Sequence, residues 1–158
     1  MSVAFTKEND RDGTEANLQD RPISPNPNLV TARGLALIDE ALETAKAAVL
    51  AAKAAGEDAT GLALARAGRD LRYYSARRAS AQLMDAPPAD GRVHFGSRIT
   101  FDREDGRRQT FRIVGEDEAE PAQGTVSYVS PVARALMGKA VGDTAIVAGG
   151  EVEIVAIE

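Results

Sequence analysis

Only carboxylates and guanidinium groups cluster in this sequence in ways that could do chemistry. The chain has no cysteine and a single histidine. That removes thiolate nucleophiles, a disulfide framework and any His-rich metal centre. His94 has no second ligand candidate beside it and reads as a packing residue of a strand. Two adjacent carboxylates, Glu57 and Asp58, stand between glycines in the run Gly56-Glu57-Asp58-Ala59-Thr60-Gly61. Charged, glycine-flanked turns are common, so solvated turn residues are one reading and an acidic tip presented to a partner is the other. Arg66, Arg69 and Arg72 recur every third residue, followed by Arg77 and Arg78, against one acid, Asp70. Such a row is either a basic stripe facing nucleic acid or an acidic groove, or one half of a set of ion pairs with Asp39, Glu40 and Glu43. Exposed pairs of that kind contribute less than about 1 kcal/mol each. The third cluster is Ser130-Pro131 with Arg134. There, serine is a helix cap, proline a first-turn residue, and the arginine lies one turn on.

The elements that must position these groups follow from periodicity. Leu35, Ile38, Leu42, Ala45, Val49 and Ala52 recur at alternating spacings of three and four, a heptad seam. Thr31 is placed to cap this helix, which should run to Ala55. The two glycines at 56 and 61 break it as a short turn. Thr60 caps a second helix reaching about Met84, with Leu64, Ala67, Leu71, Tyr74 and Ala81 on one side. So short a connection predicts an antiparallel hairpin. The acidic pair then sits at its tip and the arginines line its second arm.

Residues 1–28 are polar and proline-rich, and are expected to be a disordered tail. The hairpin takes 29–86, and Pro87-Pro88 stiffens a linker at 87–91. From residue 92 to 158 the pattern is β. Strands are expected at 98–101 and 110–114 around the Asp105-Gly106 turn, then at 126–129, 145–147 and 152–157, the last two joined through Gly149-Gly150. Val132, Ala133, Leu136 and Met137 form an apolar stripe on a short helix from Pro131. Gly138 is placed to end that helix in a left-handed conformation. The fold class is α+β: a coiled-coil helical hairpin followed by a small antiparallel β domain with one short helix.

Composition narrows the function classes. Hydrophobic residues make up 44% of the 158 but aromatics only 4%, so alanine fills much of the apolar count, which suits close-packed helices. The net charge of −5 favours protein partners over direct nucleic-acid binding. No apolar run approaches the ~20 residues of a membrane span, and Met1 to Lys7 lacks a signal-peptide core. A cytoplasmic monomer without a membrane partner is the expectation.

The stretch Ser130-Pro131-Val132-Ala133-Arg134-Ala135-Leu136-Met137-Gly138-Lys139, with Val141-Gly142-Asp143, resembles the C-terminal domain of the Gre transcript-cleavage factors (GreA/GreB). Gly91-Arg92-Val93-His94-Phe95-Gly96-Ser97, then Phe111-Arg112-Ile113-Val114-Gly115-Glu116-Asp117-Glu118-Ala119, and finally Gly150-Glu151-Val152-Glu153-Ile154 agree in order. The resemblance covers roughly residues 91–158. Thr31, Gly34, Ile38 and Leu42 also match the family's opening helix motif, and the order of domains agrees.

The resemblance implies an FKBP-like C-terminal domain that docks on bacterial RNA polymerase at the rim of its secondary channel, with Ser130, Pro131 and Arg134 near the contact. It also implies a hairpin that enters the channel and offers tip carboxylates to a catalytic Mg²⁺ of the polymerase, a hard ion bound by carboxylate oxygen. The protein would then have no cofactor or metal of its own and would not itself be an enzyme. It would meet nucleic acid only through the polymerase. Glu57 matches the family's first tip acid, and Thr60 stands where the second should be. The first arm is about one heptad short of the cleavage factors. Weak or absent cleavage stimulation is therefore expected. The alternative is an inhibitory paralogue, or a relative of the regulators of nucleoside diphosphate kinase, that blocks the channel without cleavage. Two other classes are weaker fits: a prolyl isomerase would need an aromatic-lined pocket, and a passive coiled-coil dimerisation module would not migrate as a monomer.

Overall fold

A computed structural model describes residues 18–56 and 61–158. Two compact units share the chain. One comprises the chain up to Pro27 with Leu37–Ser80, and the other Asn28–Ala36 with Ala81–Glu158.

The first unit is helical. Helix α1 spans Ala32–Ala54 and α2 spans Leu62–Ser80. The heptad seam is the buried edge of α1. Ile38 and Ala45 are fully enclosed, while Leu35, Leu42, Val49 and Ala52 are half-buried. Ala67 is buried opposite them on α2. The antiparallel register shows in the ion pair between Arg78 Nε and Asp39 Oδ1 at 2.6 Å. The expected second helix is too long by four residues. It stops at Ser80, and Gln82–Leu83 form strand β2, paired in parallel with β1, Leu29–Val30. The expected hairpin of 29–86 therefore loses both ends to the second unit.

Residues 18–28 correct another expectation. They are expected to be part of a disordered tail, yet Asp20 and Arg21 lie against α2. The Arg21 guanidinium sits 3.8 Å from the centroid of the Tyr73 ring and 5.1 Å from that of Tyr74, and it pairs with Asp70 at 3.3 Å. Asp20 pairs with Arg72 at 2.7 Å. Composition marks this segment as polar, but cation–π stacking and ion pairs need no apolar run to hold a strap in place.

The second unit is built on a five-stranded sheet. Its strands are β3 (Arg98–Arg103), β4 (Arg108–Val114), β5 (Thr125–Ser127), β6 (Thr144–Val147) and β7 (Gly150–Ile157), in the order β5-β4-β3-β7-β6. All pairings are antiparallel except β4 with β5, which is parallel. The parallel pair is possible because residues 115–124, including a 3₁₀ turn at Pro121–Gln123, carry the chain back before β5 starts. Alternation places Ile99, Phe101, Ile113, Val126, Val152 and Ile154 in the core at 0–4% exposure. Helix α3, Pro131–Leu136, closes that core with Ala133 and Leu136. The β6–β7 turn differs by one residue from the expected Gly149-Gly150. Val147 pairs with Gly150, so the turn residues are Ala148 and Gly149, with φ of 51° and 78°. Positive φ at both central residues is the hand that matches strand twist in a two-residue hairpin.

Gly115 follows β4 where a side chain could not fit. A Cβ there would lie 2.3 Å from the Leu29 carbonyl oxygen. That close approach brings β1 and the first turn of α1 against the acidic loop after β4.

Candidate protein-docking site

Helix α3 presents the cluster expected to dock. Ser130 has extended backbone angles (φ −66°, ψ 154°), and its hydroxyl accepts the Ala133 amide at 3.2 Å. Pro131 holds the first helical position, where a missing N–H costs nothing. Ala133 and Leu136 are fully buried and fix the inner face, and each contributes several contacts to the sheet core. Spacing of three then puts Pro131, Arg134 and Met137 on the outer face, all exposed. Met137 is 39% exposed. Gly138 ends the helix at φ 78°, as its position in the sequence predicts. Its amide donates across to the Val93 carbonyl at 2.9 Å, and the Val93 amide donates to the Lys139 carbonyl at 2.8 Å. The outer face is therefore held from both ends, by the serine cap and by this exchange with residue 93. A rigid cationic and apolar ridge of this kind suits a protein surface with an acidic rim.

The arginines of the row on α2 differ in burial and in partners. Arg66 is exposed, Arg69 is half-buried, and Arg77 is 2% exposed. Arg69 Nε is enclosed without a hydrogen-bond partner among the described residues. Arg72 and Arg78 are taken by Asp20 and Asp39. At 100° per residue Arg66, Arg69, Arg72 and Arg77 fall within an arc of about 140° on α2, so burial and pairing, not spacing, set them apart. Arg78 makes the expected pair with the first arm, through Asp39, whereas the partner of Arg72, Asp20, precedes that arm. Glu57, Asp58 and Thr60 lie outside the described residues.

Two motifs far apart in sequence meet at the base of α1. The Thr31 hydroxyl accepts the Gly34 amide at 2.9 Å, a helix N-cap, and donates to Glu118 Oε1. A Cβ on Gly34 would lie 2.7 Å from that same carboxylate oxygen. Thr31-x-x-Gly34 and the acidic loop after β4 are thus two halves of one contact. The sequence signals both motifs but not their meeting, because nothing local connects residue 31 with residue 118. His94 is not in a strand. Its Nε2 lies 2.8 Å from Asp90 Oδ1 and Oδ2, and its backbone amide donates to Ser97 Oγ. The Arg92 amide, and then this imidazole, hold the Asp90 carboxyl below its usual range. Among the described residues no three His, Cys, Asp or Glu side chains gather as metal ligands, and no helix is long and apolar enough to cross a membrane.

Comparison with known proteins bears on the β unit. Residues 88–158 match the family model described as transcription elongation factor, GreA/GreB, C-terminal. The chain is 48% identical over 79 residues to transcription elongation factor GreA of Anaeromyxobacter sp. (strain K), covering 48% of each chain. It is 41% identical over 76 residues to transcription elongation factor GreB of Pasteurella multocida (strain Pm70), again covering 48% of each. The chain spans about half the length of these curated relatives. Among solved structures, GreA factor homolog 1 (Gfh1) of Thermus thermophilus aligns over 84% of this chain and 99% of its own, at 21% identity and a TM-score of 0.39. A GreA/GreB factor from Nitrosomonas europaea aligns over 82% and 97%, at 23% identity and a TM-score of 0.37.

Proposed function

We propose that this chain, whose residues 88–158 match the GreA/GreB C-terminal model, is a member of that transcription elongation factor family, binds bacterial RNA polymerase with the outer face of α3 and modulates elongation from the secondary channel. One observation carries the docking half of this reading. Within the domain that matches the family, the Ser130–Leu136 turn is over-determined by its cap and by two fully buried anchors, yet Pro131, Arg134 and Met137 face solvent. A helix of six residues is too short to be stable by itself, so the domain invests buried contacts in presenting that face.

The hairpin supplies the second half. At ~1.5 Å per residue, the 23 residues of α1 span roughly 34 Å. One family tip acid has its counterpart in Glu57, and Thr60 replaces the other with a neutral hydroxyl. Mg²⁺ demands charged oxygen ligands at about 2.1 Å. A single carboxylate on a shorter arm favours occupation of the channel with weak or no stimulation of RNA cleavage, Asp58 being the one acid able to compensate. The protein would act on the polymerase's own active site and would carry no resident metal.

The test uses purified full-length protein on halted, backtracked polymerase complexes at increasing magnesium. Slowed nucleotide addition without RNA cleavage supports the reading. Strong cleavage that Glu57→Ala or Asp58→Ala abolishes overturns the cleavage half. For docking, Pro131→Ala and Arg134→Glu should weaken polymerase binding about tenfold or more while the circular-dichroism spectrum stays unchanged. Wild-type affinity in both variants refutes α3 as the contact.

A further inference from the structure

A second charged site lies in the β unit, in a cleft of about 490 Å³ lined by Arg33, Arg98 and Arg112. Arg98 on β3 and Arg112 on β4 are directly opposed in the antiparallel ladder. Like charges facing each other across a ladder destabilise the pairing. The other arginines of this hairpin are all compensated. Arg108 pairs with Asp102 at 2.7 Å, Arg107 with Asp105 at 2.6 Å, and Arg103 Nε donates to Gln109 Oε1 at 2.6 Å. By contrast, the guanidinium groups of Arg98, Arg112 and Arg33 have no carboxylate or hydrogen-bond partner among the described residues. Two acids also line the cleft, Asp85 and Glu118. Neither forms an ion pair with these arginines, and Glu118 is engaged by the Thr31 hydroxyl. Three unpaired cations thus gather at one cleft in a chain of net charge −5.

We propose that this cleft binds a multiply charged phosphate ligand, with Arg98 and Arg112 as its principal contacts and Arg33 closing over it. The chemistry selects phosphate in three ways. A guanidinium pair on neighbouring strands offers two forks to one tetrahedral group. A ligand of at least two negative charges also removes the repulsion between the arginines, so binding recovers what the cross-strand clash costs. The same cleft has an apolar wall at Met84, 39% exposed, and at Pro87, and its volume accommodates a phosphate chain with a nucleoside attached. Free polyphosphate and a nucleoside polyphosphate share this chemistry. The site lies apart from α3 and from the hairpin tip in sequence, and its occupancy does not depend on the polymerase reading.

Isothermal calorimetry on the full-length protein in low salt would test it, with inorganic triphosphate, ATP and adenosine as probes. Binding of triphosphate or ATP, with no binding of adenosine, is expected. ATP binding more tightly than triphosphate assigns the apolar wall to a base; equal affinity assigns the site to the phosphate chain alone. Arg98→Gln and Arg112→Gln should each reduce affinity at least tenfold. Arg108→Gln, which removes a cation already paired with Asp102 on the same hairpin, should change it less than twofold. No binding of either phosphate at millimolar concentration overturns the proposal. So does an equal loss in Arg108→Gln, which would mark only general electrostatic attraction. A synthetic polyglutamate peptide that binds in place of both phosphates would refute phosphate selectivity.

Discussion

Replacing Gly34 by alanine should destabilise this protein, although alanine is the better helix former. Gly34 is the third residue of α1, and in an ordinary helix the exchange would add about 1 kcal/mol of stability. Here the new Cβ would stand 2.7 Å from Glu118 Oε1, the atom that accepts from Thr31. Glu118 is a flexible side chain and will swing away, so the helix itself is not distorted. The cost is the charge-assisted hydrogen bond to Thr31, about 1.5–3 kcal/mol. The net expectation is a loss of roughly 0.5–2 kcal/mol, the difference between those two magnitudes. The sign should reverse where the carboxylate is already gone. In a Glu118→Ala background, Gly34→Ala should stabilise by about 1 kcal/mol, so the coupling between the two sites is about 1.5–3 kcal/mol. Urea denaturation of the wild type, both single variants and the double variant measures it. If Gly34→Ala stabilises the wild type as much as it stabilises Glu118→Ala, then the Thr31–Glu118 contact contributes nothing, and the account of the two motifs as one contact fails.

Three further outcomes follow from the geometry. Ala148 is held at φ 51° in the β6–β7 turn, so Ala148→Asn, which tolerates that region, should raise stability by about 1 kcal/mol in chemical denaturation; no gain would mean the turn does not hold that conformation in solution. Arg21→Ala removes the stack on Tyr73 and the pair with Asp70 and should cost about 1–2 kcal/mol, with a change in tyrosine emission, the chain having no tryptophan; unchanged emission and stability would remove the strap. The Arg108 guanidinium hydrogen bond holds the Asp102 carboxyl below the ordinary range of an aspartate. A depressed carboxyl contributes stability that is present above the unfolded value and lost as pH falls through the folded one. NMR titration should therefore place Asp102 below the ordinary aspartate range, with Arg108→Gln moving it back up, and an identical midpoint in both proteins would contradict the ion pair.

The reading of residues as elements succeeded wherever a local rule decides the outcome. The seam from Leu35 to Ala52 is buried because a spacing of three and four lies on one side of any α-helix, whatever it packs against. The Ser130-Pro131 cap and the Gly138 stop act within one turn, so composition alone places them. The Asp105-Gly106 signal marks the hairpin but not its register: a two-residue turn there would set Arg98 opposite Ile113, whereas the observed ladder, centred on Asp105, opposes Arg98 and Arg112. A shift of one residue in the loop decides which side chains face each other, and a turn signal alone does not fix it. Tertiary structure alone decided what depends on contacts between distant residues. Gln82–Leu83 became a strand because Leu29–Val30 offered it a ladder, and helix propensity through Met84 could not foresee that. Arg72 was taken by Asp20 because the strap runs along that side of α2. Thr31 and Glu118, 87 residues apart, meet because Gly115 lets the Leu29 backbone approach. A glycine in a sequence shows that close approach is permitted; which chain comes close is settled only by packing.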